Sequence, residues 1–261
     1  MIDRRLVLAA ATISLFCAAA VDTAHAHEFI VTPSAASVKA GAPLTVSVIS
    51  SHVFMKSEEL EKAEDVRIGV LTPADGKREK VEVRPDEKNL IYAGTVLAPT
   101  DGTFLVIGKR AAQIWANTPE GDKQVPRKAP SMTKARLIEK FDKTLVNVSP
   151  SDDGYKAVIG DRLEIVPLTN PAGVTVGDEV TVRVIFDKQP LTAPVYATYD
   201  GFSAEENTYA YYTEGHDDGT AKVKITHPGL WMIRVEHKTP EQTDDYDAYL
   251  ARAVLVFEVK G

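Results

Sequence analysis

Beyond residue 27 the chain alternates apolar and polar positions in short runs, and a period of two marks half-buried β-strands. In Leu44–Ile49, Val46 and Val48 alternate with Thr45 and Ser47. Val66, Ile68 and Val70 share one face of Val66–Val70, and Lys80–Arg84, Leu90–Val96 and Thr103–Ile107 continue the series. Pro73-Ala74-Asp75-Gly76 and Pro99-Thr100-Asp101-Gly102 punctuate these runs with residues that fix φ, bond back to the backbone or accept left-handed backbone. The charged stretch Ser57–Asp65 breaks the alternation and is expected to be a surface excursion. Residues 117–134, rich in Pro, Gly and basic side chains, predict a long exposed connection. From Ala135 to Val148, Leu137, Phe141 and Leu145 fit a helical face, but a strand is an equal reading.

The first 26 residues follow different rules. Arg4 and Arg5 precede an apolar run from Leu6 to Ala20, too short for the roughly 20 residues of a membrane-spanning helix. Asp22-Thr23 and the small residues Ala24 and Ala26 complete a secretory signal cut after Ala26. Cys17 is the only cysteine, so cleavage leaves neither a disulfide nor a thiolate metal site. It also removes two acids and two bases, and the net charge stays at −7. That charge argues against nucleic acid and anionic membrane surfaces as partners. The expected location is the periplasm, without integral membrane structure.

The second half of the chain echoes the first. Val38–Ile49 aligns without gaps on Val174–Ile185, matching Gly41 to Gly177, Leu44 to Val180 and Val46 to Val182. Gly102-Thr-Phe104-Leu-Val106 parallels Gly229-Leu-Trp231-Met-Ile233. A strand entered from a glycine turn, then a later Gly-x-aromatic strand, suits an immunoglobulin-like sandwich. The expected fold is all-β: two tandem immunoglobulin-like β-sandwich domains, residues 27–148 and 149–261, after the signal peptide.

Several segments carry a family resemblance: Asp161–Pro171, Val182–Pro190, Ala197–Phe202, Gly229–His237 and Ala253–Val259, with a mature start at His27-Glu-Phe. Together they resemble the bacterial periplasmic family DUF4198, grouped with periplasmic components of cobalt and nickel uptake systems. The resemblance implies an exported, non-catalytic protein that binds nickel or cobalt for an uptake transporter or receptor of the cell envelope.

The candidate chemistry lies in histidines. After residue 26 these are His27, His52, His216, His227 and His237, with no HExxH, CxxC or helical His pair among them. A cleaved chain starting at His27 offers an α-amine and an imidazole from one residue, donors that suit copper, nickel, cobalt or zinc. His52 and His237 each follow a predicted strand, where sites gather at loops. The expected ligands are therefore His27, His52 and His237, with Met55 a soft neighbour of His52. His216 in Glu214–Gly219 reads as an Asp-Gly hairpin turn, and His227 before Pro228 as a turn residue. The tyrosines Tyr199, Tyr209, Tyr211, Tyr212, Tyr246 and Tyr249 are expected to pack between sheet and loop, partly at an interface. The basic residues Lys123, Arg127, Lys128 and Lys134 read as a solvated face. Two other functions compete: a metal-independent ligand- or protein-binding module, and a copper oxygenase whose N-terminal histidine and a second histidine brace the ion.

Overall fold

The computed structural model describes residues 27–261, and the signal segment read at 1–26 lies outside them. In chain order the strands are β1 (Glu28–Pro33), β2 (Pro43–Ser51), β3 (Val66–Thr72), β4 (Lys77–Lys80), β5 (Arg84–Asp86), β6 (Ile91–Leu97), β7 (Phe104–Thr118), β8 (Gly121–Val125) and β9 (Thr133–Val146). There follow β10 (Leu163–Pro167), β11 (Glu179–Phe186), β12 (Gln189–Pro190), β13 (Pro194–Tyr199), β14 (Tyr211–Glu214), β15 (Thr220–Lys224), β16 (Gly229–Pro240) and β17 (Ala248–Val259). Helical structure among the described residues is limited to short 3-10 turns, and no helix there is long and apolar enough to cross a membrane.

The strands build three sheets in sandwich-like layers. Nine strands form a middle sheet in the order β14-β13-β16-β17-β9-β7-β3-β4, with β8 paired to β7. It runs unbroken from one half of the chain to the other through the parallel pairing of β17 with β9. A first covering sheet, β1-β2-β6-β5, lies on one face, and a second, β10-β11-β12 with β15, lies on the opposite face.

Alternation of side chains sorts the core between these layers. On β7, Phe104 and Val106 join the first covering sheet's Phe29, Leu44 and Val46, whereas Leu105 turns the other way. On β16, Trp231, Ile233 and Val235 face the second covering sheet, with Leu163, Val182 and Val223. Met232 turns instead toward Ile30 and Ile49, so β1 and β2 reach across onto β16 and β17. The internal repeat is visible in place. Gly41 and Gly177 both have left-handed φ, +76° and +101°, and the strands they introduce, β2 and β11, belong to the two covering sheets.

Several local expectations change. Ala135–Val148 is strand β9 almost throughout, because Leu137, Phe141 and Leu145 are four apart and an even spacing also fits one face of a strand. The strand expected at Thr103–Ile107 runs on to Thr118 and folds back through β8, so the exposed connection is partly a hairpin. The strand expected at Lys80–Arg84 is interrupted: β4 pairs with β3 in the middle sheet, and β5 pairs with β6 in the first covering sheet. Ser57–Asp65 is strand-free as expected, yet it is more than a surface excursion, since Glu61 is buried.

Candidate metal centre

The β1–β2 ladder sets two histidines side by side. Its terminal pair is Glu28 opposite Ser51, so His27 and His52 face each other one step further along. Opposed residues on antiparallel strands stand close enough for their side chains to meet. Their rings are 4.1 Å apart between centroids and inclined at 39°. After His52 the chain turns back through Val53 and Lys56, with Met55 at a left-handed φ of +68°. The Glu58 amide then donates to the Ser50 carbonyl at 2.9 Å. This return places two carboxylates on the paired rings.

Glu58 and Glu59 take different nitrogens. Glu58 Oε2 lies 2.9 Å from His52 Nδ1 and 3.4 Å from His27 Nε2. Glu59 Oε2 lies 2.9 Å from His27 Nδ1. His27, His52 and Glu58 each offer one donor atom within 4.8 Å of the others. Partial burial works to raise the Glu58 carboxyl, but hydrogen bonds from the His52 ring and amide, with the nearby histidine charges, hold it below the usual range. The His27 hydrogen bond does the same for Glu59. Both groups are carboxylates at neutral pH. His52 is nearly buried and His27 partly so, leaving the centre at the rim of the layer.

Beneath the rim lies a buried ionic floor. Glu28 accepts from Arg234 at 2.8 Å and stands 3.4 Å from Arg252, while Lys140 meets Glu61 at 3.1 Å. Burial pulls the Lys140 ammonium down to about 8, with Glu61 opposing the shift. A loop from the other half of the chain also reaches the centre. The Asn207 amide donates to the His52 carbonyl at 3.1 Å, and Tyr209 packs with Ile30 and Ile49.

His237, expected as a third ligand, is not brought to this centre. It lies inside β16 rather than at its end, and it follows Trp231, Ile233 and Val235 onto the face toward the second covering sheet. There its ring meets Phe186 edge-on at 4.5 Å, and burial lowers its basicity. Arg234, three residues earlier and on the opposite face of β16, donates instead to Glu28 of β1. Odd and even positions of one strand cannot serve one site.

The remaining expectations find their places. His216 belongs to a tight turn, its amide donating to Thr220 and its carbonyl accepting from Gly219. His227 stacks on Tyr199 at 4.5 Å and 6°. Tyr249 is buried and donates to Glu139. Lys123, Arg127 and Lys134 are exposed, and Lys128 pairs with Asp247. Glu58 and Glu59 are the residues that pattern reading passed over. Their signal was a pair of acids within seven residues of His52, just past a turn.

A model of the family described as "Domain of unknown function (DUF4198)" matches residues 24–239. The chain belongs to the DUF4198 family. No curated protein matches this DUF4198 chain. Among solved structures it is similar to the D0-D1 domain of intimin, at 13% identity over 90% of this chain and 99% of that one, with a TM-score of 0.21. It is also similar to the Yersinia pseudotuberculosis adhesin InvE, at 12% identity over 88% of this chain and 58% of that one, with a TM-score of 0.22. Scores this low leave the function of this DUF4198 protein to its own residues.

Proposed function

We propose that this protein binds a divalent late first-row transition metal between His27, His52 and Glu58, and hands it to an uptake system of the cell envelope. The observation that carries the reading is the convergence of two imidazoles and a carboxylate on a common space. The donor set fits such an ion. Zinc–nitrogen and zinc–oxygen bonds of about 2.0–2.1 Å put two tetrahedral ligands about 3.3 Å apart, and His27 Nε2 and Glu58 Oε2 are 3.4 Å apart. Imidazole nitrogens with a carboxylate favour nickel, cobalt, copper or zinc over calcium or magnesium, and the absence of thiolate disfavours cuprous ion. Nickel or cobalt is the favoured cargo, as the family resemblance implies.

The role is binding rather than catalysis, in two sandwich halves that share the middle sheet, exported by a signal cleaved after Ala26 and acting in the periplasm. The centre sits at a sheet rim beside a loop, where a docking transporter could reach it.

Titration calorimetry with nickel, cobalt, copper and zinc tests the reading. One-to-one binding is expected, weakened at least tenfold by His27→Ala, His52→Ala and Glu58→Ala, and untouched by His237→Ala. Lack of binding to all four ions at micromolar protein would overturn it and leave the metal-independent module, its His–Glu pairs purely structural.

A further inference from the structure

We infer that Glu59 locks the His27 ring so that Nε2, not Nδ1, faces the ion, making this an internal imidazole–imidazole–carboxylate centre that needs no α-amine. The inference rests on the metal reading above and deepens it. Two acids in succession grip one ring from two sides. Glu59 Oε2 is 2.9 Å from Nδ1, and Glu58 Oε2 is 3.4 Å from Nε2. A carboxylate can only accept, so the proton of the neutral ring belongs on Nδ1, and the lone pair on Nε2 points into the space shared with His52 and Glu58. Carboxylates that hold the second nitrogen of a metal-binding histidine fix its tautomer and raise its donor strength.

The alternative mode competes for the same nitrogen. Nδ1 adjoins the ring carbon that carries Cβ, so Nδ1 and the residue's own α-nitrogen can close a six-membered ring around a metal. Nε2 lies on the far side of the imidazole and cannot join such a ring. A histidine acting as an amine-plus-imidazole chelator, as a copper brace requires, must therefore give up its Glu59 contact. The His52 side offers no second route, because its α-nitrogen is a peptide amide that donates to Glu58 Oε2 at 3.3 Å. Glu59 is thus a positioning residue, acting on the ion through His27.

Zinc is the probe, measured by competition against a chromophoric chelator. Two forms of the chain are compared, one beginning at His27 and one retaining Ala26, each with native Glu59 and with Glu59→Ala. With native Glu59 the two forms are expected to bind zinc within about threefold of each other. Glu59→Ala is expected to weaken the Ala26 form by about 10–100-fold, as loss of such a carboxylate does elsewhere. The His27 form should lose less, because the amine chelate becomes available once Nδ1 is released. Ring nitrogen shifts of His27 supply a readout that general loosening does not mimic: Nδ1 protonated with native Glu59, and tautomers mixed in Glu59→Ala. The Glu59 side chain is half exposed, so the variant should unfold at the native midpoint. Tenfold weaker binding by the native Ala26 form would overturn the lock and establish the amine as a ligand. Unchanged affinity in Glu59→Ala would overturn it as well. Absence of zinc binding in every form would instead refute the metal reading, a different result from amine dependence.

Discussion

Replacing Gly108 by alanine should unseat β1 and, with it, the candidate metal centre. Gly108 lies on β7 under the first covering sheet, on backbone that any residue can adopt. A Cβ there would overlap Cγ2 of Val31 outright, and would stand 3.0 Å from Phe29 Cε1 and 3.3 Å from Asp142 Cβ. Carbon atoms prefer about 3.5–4.0 Å, so β1 must lift or its side chains must leave their rotamers. Overpacking of this kind costs about 1–3 kcal/mol. Against it stands the smaller backbone entropy of an unfolded Ala chain, worth about 0.4–1 kcal/mol in favour of the variant. The overlap wins, and net destabilisation should be about 1–2 kcal/mol. With a urea m-value of about 3 kcal/mol/M, the midpoint falls by about 0.3–0.7 M. Gly173→Ala is the control, because nothing lies within 4 Å of its Cβ position and its φ is not left-handed. It should be neutral or slightly stabilising. Val31→Ala removes the overlapping methyl, so the double variant should be more stable than the sum of the two single effects requires, by more than the roughly 0.5 kcal/mol scatter of independent sites. Because β1 begins at Glu28, zinc affinity should fall in Gly108→Ala and not in Gly173→Ala. A Gly108→Ala protein as stable as the native one, or strict additivity with Val31→Ala, would refute the packing argument.

Other consequences can be checked in the same assays. Lys143 and Glu164 form a buried ion pair between the middle sheet and the second covering sheet. Glu164→Gln or Lys143→Met alone should cost about 3–5 kcal/mol, whereas Lys143→Met with Glu164→Leu should recover most of it, since the pair itself repays little beyond its desolvation. Asp161 is raised to about 6 by burial and by Glu164, against the pull of Lys109, Lys143 and Arg78. Its folded form holds the proton more tightly than the unfolded chain, so its contribution favours the folded state at low pH and is lost as pH rises from about 4 to about 6. Asp161→Asn should flatten that part of the stability profile, and a profile identical to the native one would refute the assignment. On the proposed reading a metal ion binds only the folded centre, so zinc at a hundredfold excess over its dissociation constant should stabilise the native protein by about 2.7 kcal/mol. At that zinc concentration His52→Ala should cut the gain to about 1.4 kcal/mol or less, read as the zinc-dependent shift of the urea midpoint.

Much of this fold was legible because each strand face carries one kind of side chain. The repeat aligned Gly41 with Gly177, and both adopt the left-handed backbone that introduces β2 and β11. Local pattern could not distinguish the layers. On β16, Trp231 and Met232 are both buried, yet they belong to opposite cores, so apolar content on both faces reads as a single hydrophobic run. The same blindness misplaced His237. Reading it as a strand end ignored that pairing with β17 continues to Pro240, which leaves the parity of position 237, rather than its place in a loop, to decide where it points.

The centre itself was half visible, and the missing half is instructive. His27 and His52 are separated by a hairpin's worth of chain, and only the register Glu28–Ser51 makes them neighbours. Register is set by which faces are buried and by the length of the connection, neither of which a lone histidine reveals. Glu58 and Glu59 were hidden for the opposite reason. They stand in a charge run, and such runs are usually solvated. What separates this run from others is Glu61, which enters the layer to meet Lys140 and Ser50 and so anchors the segment against the sheet. With Glu61 fixed, the two acids before it have nowhere to go but across the rim, onto the His27 and His52 rings. A buried acid inside a charged stretch is therefore the feature that turns a loop into half of a site.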